Sequence, residues 1–126
     1  MEIKVIQEKS QKCPGMYYDP AKEVLVIEGR SIPENPESVY TPVKNWIDEY
    51  FLNSESLDIR IVLEYINSGS SKHLMEMLKM LRRYRGEGKK VKIKWLYEED
   101  DESILELGEH FRDTTGLPID IEMLIE

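Results

Sequence analysis

One segment restricts the fold of this chain more than any other: an apolar strand that leads directly into an amphipathic helix. Residues 57–66 read Leu-Asp-Ile-Arg-Ile-Val-Leu-Glu-Tyr-Ile, and a run of this kind predicts a central strand that is covered on both faces. A polar turn at residues 67–71 follows, and apolar residues then recur at helical spacing until the Gly86-Glu87-Gly88 stop. A strand over residues 91–97 completes a β-α-β unit, which requires parallel strands and a right-handed crossover.

The residues before this unit predict strands first and then a helix. Residues 3–7 alternate in the manner of a strand, and residues 16–19 and 23–28 flank a turn at Asp19-Pro20, which predicts a β-hairpin. Residues 29–36 are predicted to form a loop. A first helix follows, and Pro42 fits its first turn with Thr41 as the cap.

The residues after this unit predict one more helix and one more strand. Asp100 or Asp101 is expected to cap the third helix, and a last strand is expected around residues 119–124. The whole order is β-β-β-α-β-α-β-α-β. We therefore expect an α/β fold in which helices pack on a single mixed β-sheet.

Length and composition predict one domain over residues 1–126. Hydrophobic residues make up 40% of the chain and charged residues 33%, which is typical of folded proteins that are not embedded in membranes. No apolar run approaches the roughly 20 residues that span a bilayer. The N-terminus does not resemble a signal peptide, and the single cysteine, Cys13, has no intramolecular partner, so we predict a cytoplasmic protein.

The charge distribution leaves an alternative function open. The net charge of −8 argues against nucleic acid as the main partner. However, eight of the seventeen basic residues lie in Lys79–Lys94, with Tyr84 and Trp95 as candidate stacking groups. The alternative is a nucleic-acid-binding module, or a constitutive protein-binding module, that uses this basic region. Alternation in the strand predicts instead that Trp95 is buried.

The turn at Asn67–Ser71 is the candidate functional site. Function in open α/β sheets gathers at the carboxyl ends of parallel strands, and backbone N–H groups at a helix start favour an anion. A phosphate on Ser68 would add a charge of about −1.5 to −2 at this point. A serine here is more often a simple cap, and either Ser70 or Ser71 is expected to have that part. The residues by themselves leave both interpretations open.

A resemblance supports the first interpretation. Residues 63–72 read Leu-Glu-Tyr-Ile-Asn-Ser-Gly-Ser-Ser-Lys, which resembles the L-x-Y-F-N-T-S-S-x-K signature of the SiaC family of regulatory phosphoproteins. Further segments match the family in the same order: Tyr18-Asp19-Pro20, residues 27–35, Pro42 to Trp46 with Tyr50, and residues 95–101. The resemblance covers nearly the whole chain.

The resemblance implies a bacterial partner-switch protein with a fold similar to the STAS-type anti-sigma-factor antagonists. In such proteins a dedicated kinase phosphorylates a threonine in the turn and a PP2C-type phosphatase removes the phosphate. In the best-known branch, the unphosphorylated form binds and activates a diguanylate cyclase. Carried over by position, the phosphoacceptor is Ser68. This chain departs from the family pattern by having Ser68 in place of threonine and Gly69 in place of serine.

Two groups of residues are expected to contact partners. The first belongs to the turn and the start of the second helix: Asn67, Gly69, Ser70, Ser71 and Lys72. The second lies in the predicted loop that matches the family, where functional residues concentrate: Arg30, Ser31 and Glu34.

An enzyme would need a nucleophile, a base and an orienting group. The two histidines, His73 and His110, fall on different predicted helices, and no acid is evidently placed behind His73. The acidic run Glu98–Glu102 lacks a loop glycine at the spacing of a cation site. We therefore predict no catalytic activity, no metal and no cofactor.

Overall fold

The computed structural model describes residues 2–125 as one mixed β-sheet with helices packed against it. Met1 and Glu126, the two ends of the predicted domain, lie outside the described residues. Within residues 2–125 there are six strands and three helices: β1 (Lys4–Gln7), β2 (Gly15–Asp19), β3 (Val24–Ser31), α1 (Pro36–Leu52), β4 (Ser56–Ile66), α2 (Ser68–Gly86), β5 (Lys90–Tyr97), α3 (Glu102–Thr115) and β6 (Ile119–Met123). The predicted fold class and element order are confirmed.

The described strands lie side by side in the same order as in the chain. β2 pairs antiparallel with both β1 and β3, which confirms the predicted hairpin. β3, β4, β5 and β6 are parallel neighbours, and each connection between them contains a helix. Successive right-handed crossovers in one direction place all their helices on the same side of a sheet.

This topology covers only one face of β4. Leu57, Ile59 and Ile61 are buried in the core that the three helices share with the sheet, whereas Asp58 and Arg60 between them are exposed. The expectation that this strand is covered on both faces is therefore wrong. The polar residues at alternate positions of the strand already indicated a sheet with one open face.

The first helix begins earlier than the sequence predicts. It starts at Pro36, with Asn35 as the N-cap, and continues through Pro42. Because proline has no N–H group, the carbonyl four residues earlier, at Ser38, loses its helical partner. Val39 and Tyr40 are buried in the core, and this packing keeps the first turns helical. The expectation of a helix start at Pro42 with Thr41 as its cap is wrong.

The predicted end of α2 and the predicted start of α3 agree with the structure. The backbone N–H of Glu87, just after α2, donates to the carbonyl oxygens of the last turn, and Gly88 has a positive φ of 98°. The Asp101 carboxylate caps α3 by accepting a hydrogen bond from the N–H of Ile104 at 3.1 Å. Among the described helices, none combines the length and the apolar character that a membrane span requires.

Candidate functional site

The candidate site lies where β4 ends and α2 begins. β4 ends at Ile66, Asn67 is the N-cap, and Ser68 is the first residue of α2. This junction is at the carboxyl edge of the parallel strands, as the sequence predicts. The first turn of α2 contains no acidic residue, so no carboxylate of that turn competes with an anion for its backbone N–H groups.

Asn67 fixes the junction through hydrogen bonds of both its side chain and its backbone. Its Oδ1 accepts from the N–H of Ser70 at 2.8 Å, its Nδ2 donates to the carbonyl of Pro33 at 3.2 Å, and its backbone N–H donates to the carbonyl of Ser31 at 2.9 Å. The expectation that Ser70 or Ser71 caps the helix is wrong, because the asparagine one residue before the helix has that position. Asparagine is among the best N-cap residues, so the sequence contained this signal.

The three serines of the turn lie in different environments. Ser68 is exposed, Ser71 is partly buried, and Ser70 is fully buried. The Ser70 hydroxyl has no hydrogen-bond partner among the described residues. The sequence cannot distinguish these hydroxyls by residue type. The fold presents Ser68 to the solvent and turns Ser70 inward, so Ser70 cannot contact a partner in this conformation.

A groove runs beside Ser68, between the starts of α2 and α3. It has a volume of about 420 Å³. Ser68, Ser71 and Asp101 give it polar walls, and Ile104 and Leu107 contribute apolar surface. The sequence analysis did not identify the two apolar residues, because groove and core positions of an amphipathic helix have the same spacing.

Arg30 and Ser31 belong to β3 and not to a loop. β3 continues to Ser31 because Arg30 pairs with Tyr65 and Ser31 with Ile66 in the parallel ladder. The Ser31 hydroxyl is buried and lies 2.8 Å from the Tyr40 hydroxyl. The predicted loop over residues 29–36 is therefore shorter than expected and covers residues 32–35, between β3 and α1. The expected partner contact by Ser31 is wrong, because its hydroxyl is buried against Tyr40.

The remaining predicted contact residues are at the surface or support the turn. Arg30 is exposed, and its guanidinium carbon lies 5.7 Å from the ring centroid of Tyr65, which is 62% exposed. Lys72 and Glu34 are also exposed. Gly69 packs closely, because an added Cβ would come within 3.1 Å of the Pro36 ring.

A buried aromatic group lies below the turn. Burial raises the pKa of Tyr40 to about 12. The Tyr40 ring stacks on His73 with centroids 6.1 Å apart, and the Nδ1 atom of His73 is 3.9 Å from a carboxylate oxygen of Glu76. His73 is therefore in contact with Tyr40 and lies close to Glu76.

The basic region Lys79–Lys94 does not form one surface. Its first part lies on α2, whereas Lys92 and Lys94 line the open face of the sheet. Trp95 is 1% exposed, and its Nε1 donates to the carbonyl of Ile104 at 2.9 Å, so the predicted burial of Trp95 is confirmed. The division of the cations between two sides of the sheet removes the main support for nucleic-acid binding.

Cation-binding groups are also dispersed in the part of the chain that the structure describes. No three histidine, cysteine, aspartate or glutamate residues between positions 2 and 125 are grouped so that they could hold a metal ion.

Comparison with known proteins places this geometry in a family. A sequence profile described as SiaC family regulatory phosphoprotein matches residues 6–124. The chain is 28% identical over 116 residues to an uncharacterised protein of Pseudomonas aeruginosa strain UCBPP-PA14, with 90% of each chain covered. Its fold is similar to apo-SiaC of Pseudomonas aeruginosa, with a TM-score of 0.84, 27% identity, and 97% and 99% of the two chains covered. It is also similar to a chain of the complex between the diguanylate cyclase SiaD and its activator SiaC, with a TM-score of 0.85, 27% identity, and 92% and 96% covered. The chain belongs to the SiaC family of regulatory phosphoproteins.

Proposed function

We propose that this chain is a phosphorylation-gated protein–protein regulator in which Ser68 accepts the phosphate. In this proposal the unphosphorylated form binds and activates an effector such as a diguanylate cyclase. The observation that carries the proposal is the exposure of Ser68 at the first position of α2, beside a groove, while Ser70 is buried and Ser71 only partly exposed. A kinase needs a hydroxyl that stands clear of the fold.

The helix start supports a phosphate at this position. The first N–H groups of a helix have no intrahelical partners and favour negative charge. Because Asn67 occupies only the N–H of Ser70 with its side chain, a phosphate of charge about −1.5 to −2 is compatible with the fold. The same phosphate would enter the space of the groove and change the surface that an effector meets.

The choice of effector rests on similarity to a solved complex. SiaC of Pseudomonas aeruginosa is the activator of the diguanylate cyclase SiaD in that complex, and the similarity covers 92% of this chain. We extend that activity to this chain as a proposal. The proposal also includes a cognate kinase and a PP2C-type phosphatase, which a reversible phosphate requires.

The proposal treats the chain as a regulator without catalytic activity and as one regulatory domain over residues 1–126. The first point is supported by the contacts of His73, which stacks on Tyr40 and lies near Glu76, while its Nδ1 atom has no hydrogen-bond partner among the described residues. A cytoplasmic location follows from the proposed partners, since the nucleoside triphosphates that a kinase and a diguanylate cyclase consume are cytoplasmic.

The test combines phosphosite mapping with a cyclase assay. The wild type, Ser68→Ala and the matched control Ser71→Ala are isolated from source cells, and their phosphosites are mapped by mass spectrometry. Each protein, with and without phosphate, is then mixed with the diguanylate cyclase of the same organism, and formation of cyclic di-GMP from GTP is measured. We expect phosphate on Ser68 in the wild type and in Ser71→Ala, no phosphate in Ser68→Ala, and activation by the unphosphorylated forms alone.

Each of two results would reject one part of the proposal. Stoichiometric phosphate on a residue other than Ser68 would reject the site. Equal activation by phosphorylated and unphosphorylated wild type would reject the gating.

A further inference from the structure

Five residues on the outer side of α2 form a straight seam that begins at Ser68. Ser68, Lys72, Met75, Lys79 and Arg82 follow one another at spacings of four, three, four and three residues. This is the spacing of the contact seam in helix pairs. At 1.5 Å per residue the seam is about 21 Å long. Met75 is partly buried, and the other four are exposed.

The cations of this seam are not used within the molecule. Lys72, Lys79 and Arg82 form no ion pair with any carboxylate between residues 2 and 125, although the chain has 25 acidic residues. The next row of the same helix behaves differently, because Glu76 pairs with Lys44 at 3.4 Å and Arg83 lies 3.9 Å from Asp48. The row that faces α1 is thus neutralised, and the seam keeps its positive charge.

We propose that this seam docks an acidic amphipathic helix of a partner protein, and that phosphate on Ser68 prevents the docking. The inference rests on the proposed function and adds the chemistry of the partner surface. Met75 supplies an apolar contact at the centre, and Lys72, Lys79 and Arg82 supply complementary charge along about three turns of helix. Helix-in-groove recognition uses anchors at this spacing.

Phosphorylation acts on this seam in two ways. The phosphate adds a charge of about −1.5 to −2 at the end of the seam, where it repels an acidic helix. Lys72 is four residues after Ser68, which is the distance at which side chains on a helix meet. The phosphate therefore also draws Lys72 away from the partner.

The surroundings of α2 favour a protein helix over a nucleic acid. α3 presents exposed Glu102 and Glu106, and α1 presents exposed Glu49. Neighbouring helix axes are 8–10 Å apart in packed proteins, so a rigid polyanion lying along α2 would also meet these carboxylates. A single partner helix contacts a narrower strip and can avoid them.

The experiment is photo-crosslinking in source cells. A photoreactive benzoylphenylalanine replaces Met75 in the otherwise complete chain, and the crosslinked peptide is identified by mass spectrometry. The same reporter is placed in a Lys79→Glu/Arg82→Glu variant, in a matched Lys90→Glu/Lys92→Glu variant with the same charge change in β5, and in protein phosphorylated on Ser68. Circular dichroism establishes that each variant is folded.

We expect an adduct with an acidic helical segment of one protein. Its yield should fall about tenfold or more in Lys79→Glu/Arg82→Glu and in the phosphorylated protein, in keeping with the effect of complementary charge on association, and should stay within twofold in Lys90→Glu/Lys92→Glu. An adduct with nucleic acid, an adduct with a basic segment, or no adduct from position 75 would overturn the inference.

The failure of this inference can be distinguished from failure of the proposed function. If Lys79→Glu/Arg82→Glu keeps the wild-type adduct while phosphate on Ser68 abolishes it, the seam is rejected and the switch stands. If Ser68 carries no phosphate in cells, the proposed function fails, and an adduct that depends on charge would still identify a docking surface.

Discussion

Ser68 and Ser70 are two residues apart, but their hydroxyls have opposite environments. Ser68 is exposed and Ser70 is fully buried, because successive helical residues point in different directions and the third residue of α2 faces the core. Asn67 sets this phase, since its side chain caps α2 through the N–H of Ser70 and anchors the turn to Pro33. A single asparagine thus decides which serine a kinase can reach.

We predict that Asn67→Ala loses about 0.5–2 kcal/mol of unfolding free energy, the usual cost of removing an N-cap side chain. Asn35→Ala is the matched control, because Asn35 is the N-cap of α1 but makes no side-chain capping hydrogen bond. Urea unfolding of both variants measures the difference. A loss of equal size in the two variants would contradict the role of the Asn67 side chain.

At the scale of elements, α3 and β5 approach each other through one glycine. A Cβ added at Gly108 would lie 2.5 Å from Cδ1 of Trp95, which is closer than packed carbon atoms come. The Trp95 ring is buried and also held by its hydrogen bond to Ile104. The sequence places Gly108 in a helix without indicating why a glycine is there, and the contact with the indole ring explains it.

We predict that Gly108→Ala destabilises the protein, although alanine is the better helix former. Overpacking costs roughly 1–3 kcal/mol, against a gain in helix propensity of about 1 kcal/mol. Gly86→Ala is the control, since nothing lies within 4 Å of its added Cβ. Thermal unfolding monitored by tryptophan fluorescence checks both variants. Unchanged stability in Gly108→Ala would mean that the helix moves away from the sheet at little cost.

At the scale of the whole molecule, the fold separates charges that are neighbours in the sequence. The basic residues of α2 lie on the helical side of the sheet, and Lys92 and Lys94 lie on its open face. Lys94 is paired there with Glu122 at 3.4 Å. α2 therefore presents a positive seam within a chain of net charge −8, which suits a specific protein contact better than a polyanion.

Global stability should also depend on pH in the alkaline range, through Tyr40. Burial raises the pKa of Tyr40 to about 12, from an ordinary value of about 10 in the unfolded chain. Between these pH values the unfolded chain loses the proton while the folded protein keeps it, so the unfolding free energy falls as the pH rises. The shift corresponds to roughly 2–3 kcal/mol in total.

The measurement is urea unfolding at several pH values between about 9 and 12. We expect the unfolding free energy of the wild type to decline more steeply with pH than that of Tyr40→Phe. Other tyrosines with a raised pKa, such as Tyr18 and Tyr84, contribute to both proteins and cancel in the comparison. Parallel declines in the two proteins would show that Tyr40 ionises as readily folded as unfolded.

The order of elements followed from local pattern. Alternating and helical spacings of apolar residues involve only neighbours along the chain. The β-β-β-α-β-α-β-α-β order and the burial of Trp95 could therefore be predicted from these spacings. The position of the candidate turn followed for the same reason, because it lies between two strongly patterned elements. The resemblance of this turn to the family signature then distinguished Ser68 as the candidate phosphoacceptor.

The tertiary structure decided what depends on contacts between distant residues. The early start of α1 follows from the packing of Val39 and Tyr40 in the core. Ser31 and Ser70 turn inward for the same kind of reason. Local sequence determined which elements this chain forms, because their periodicity is local. Only the tertiary structure decided which hydroxyls and which cations face a partner, because exposure depends on what packs against each residue.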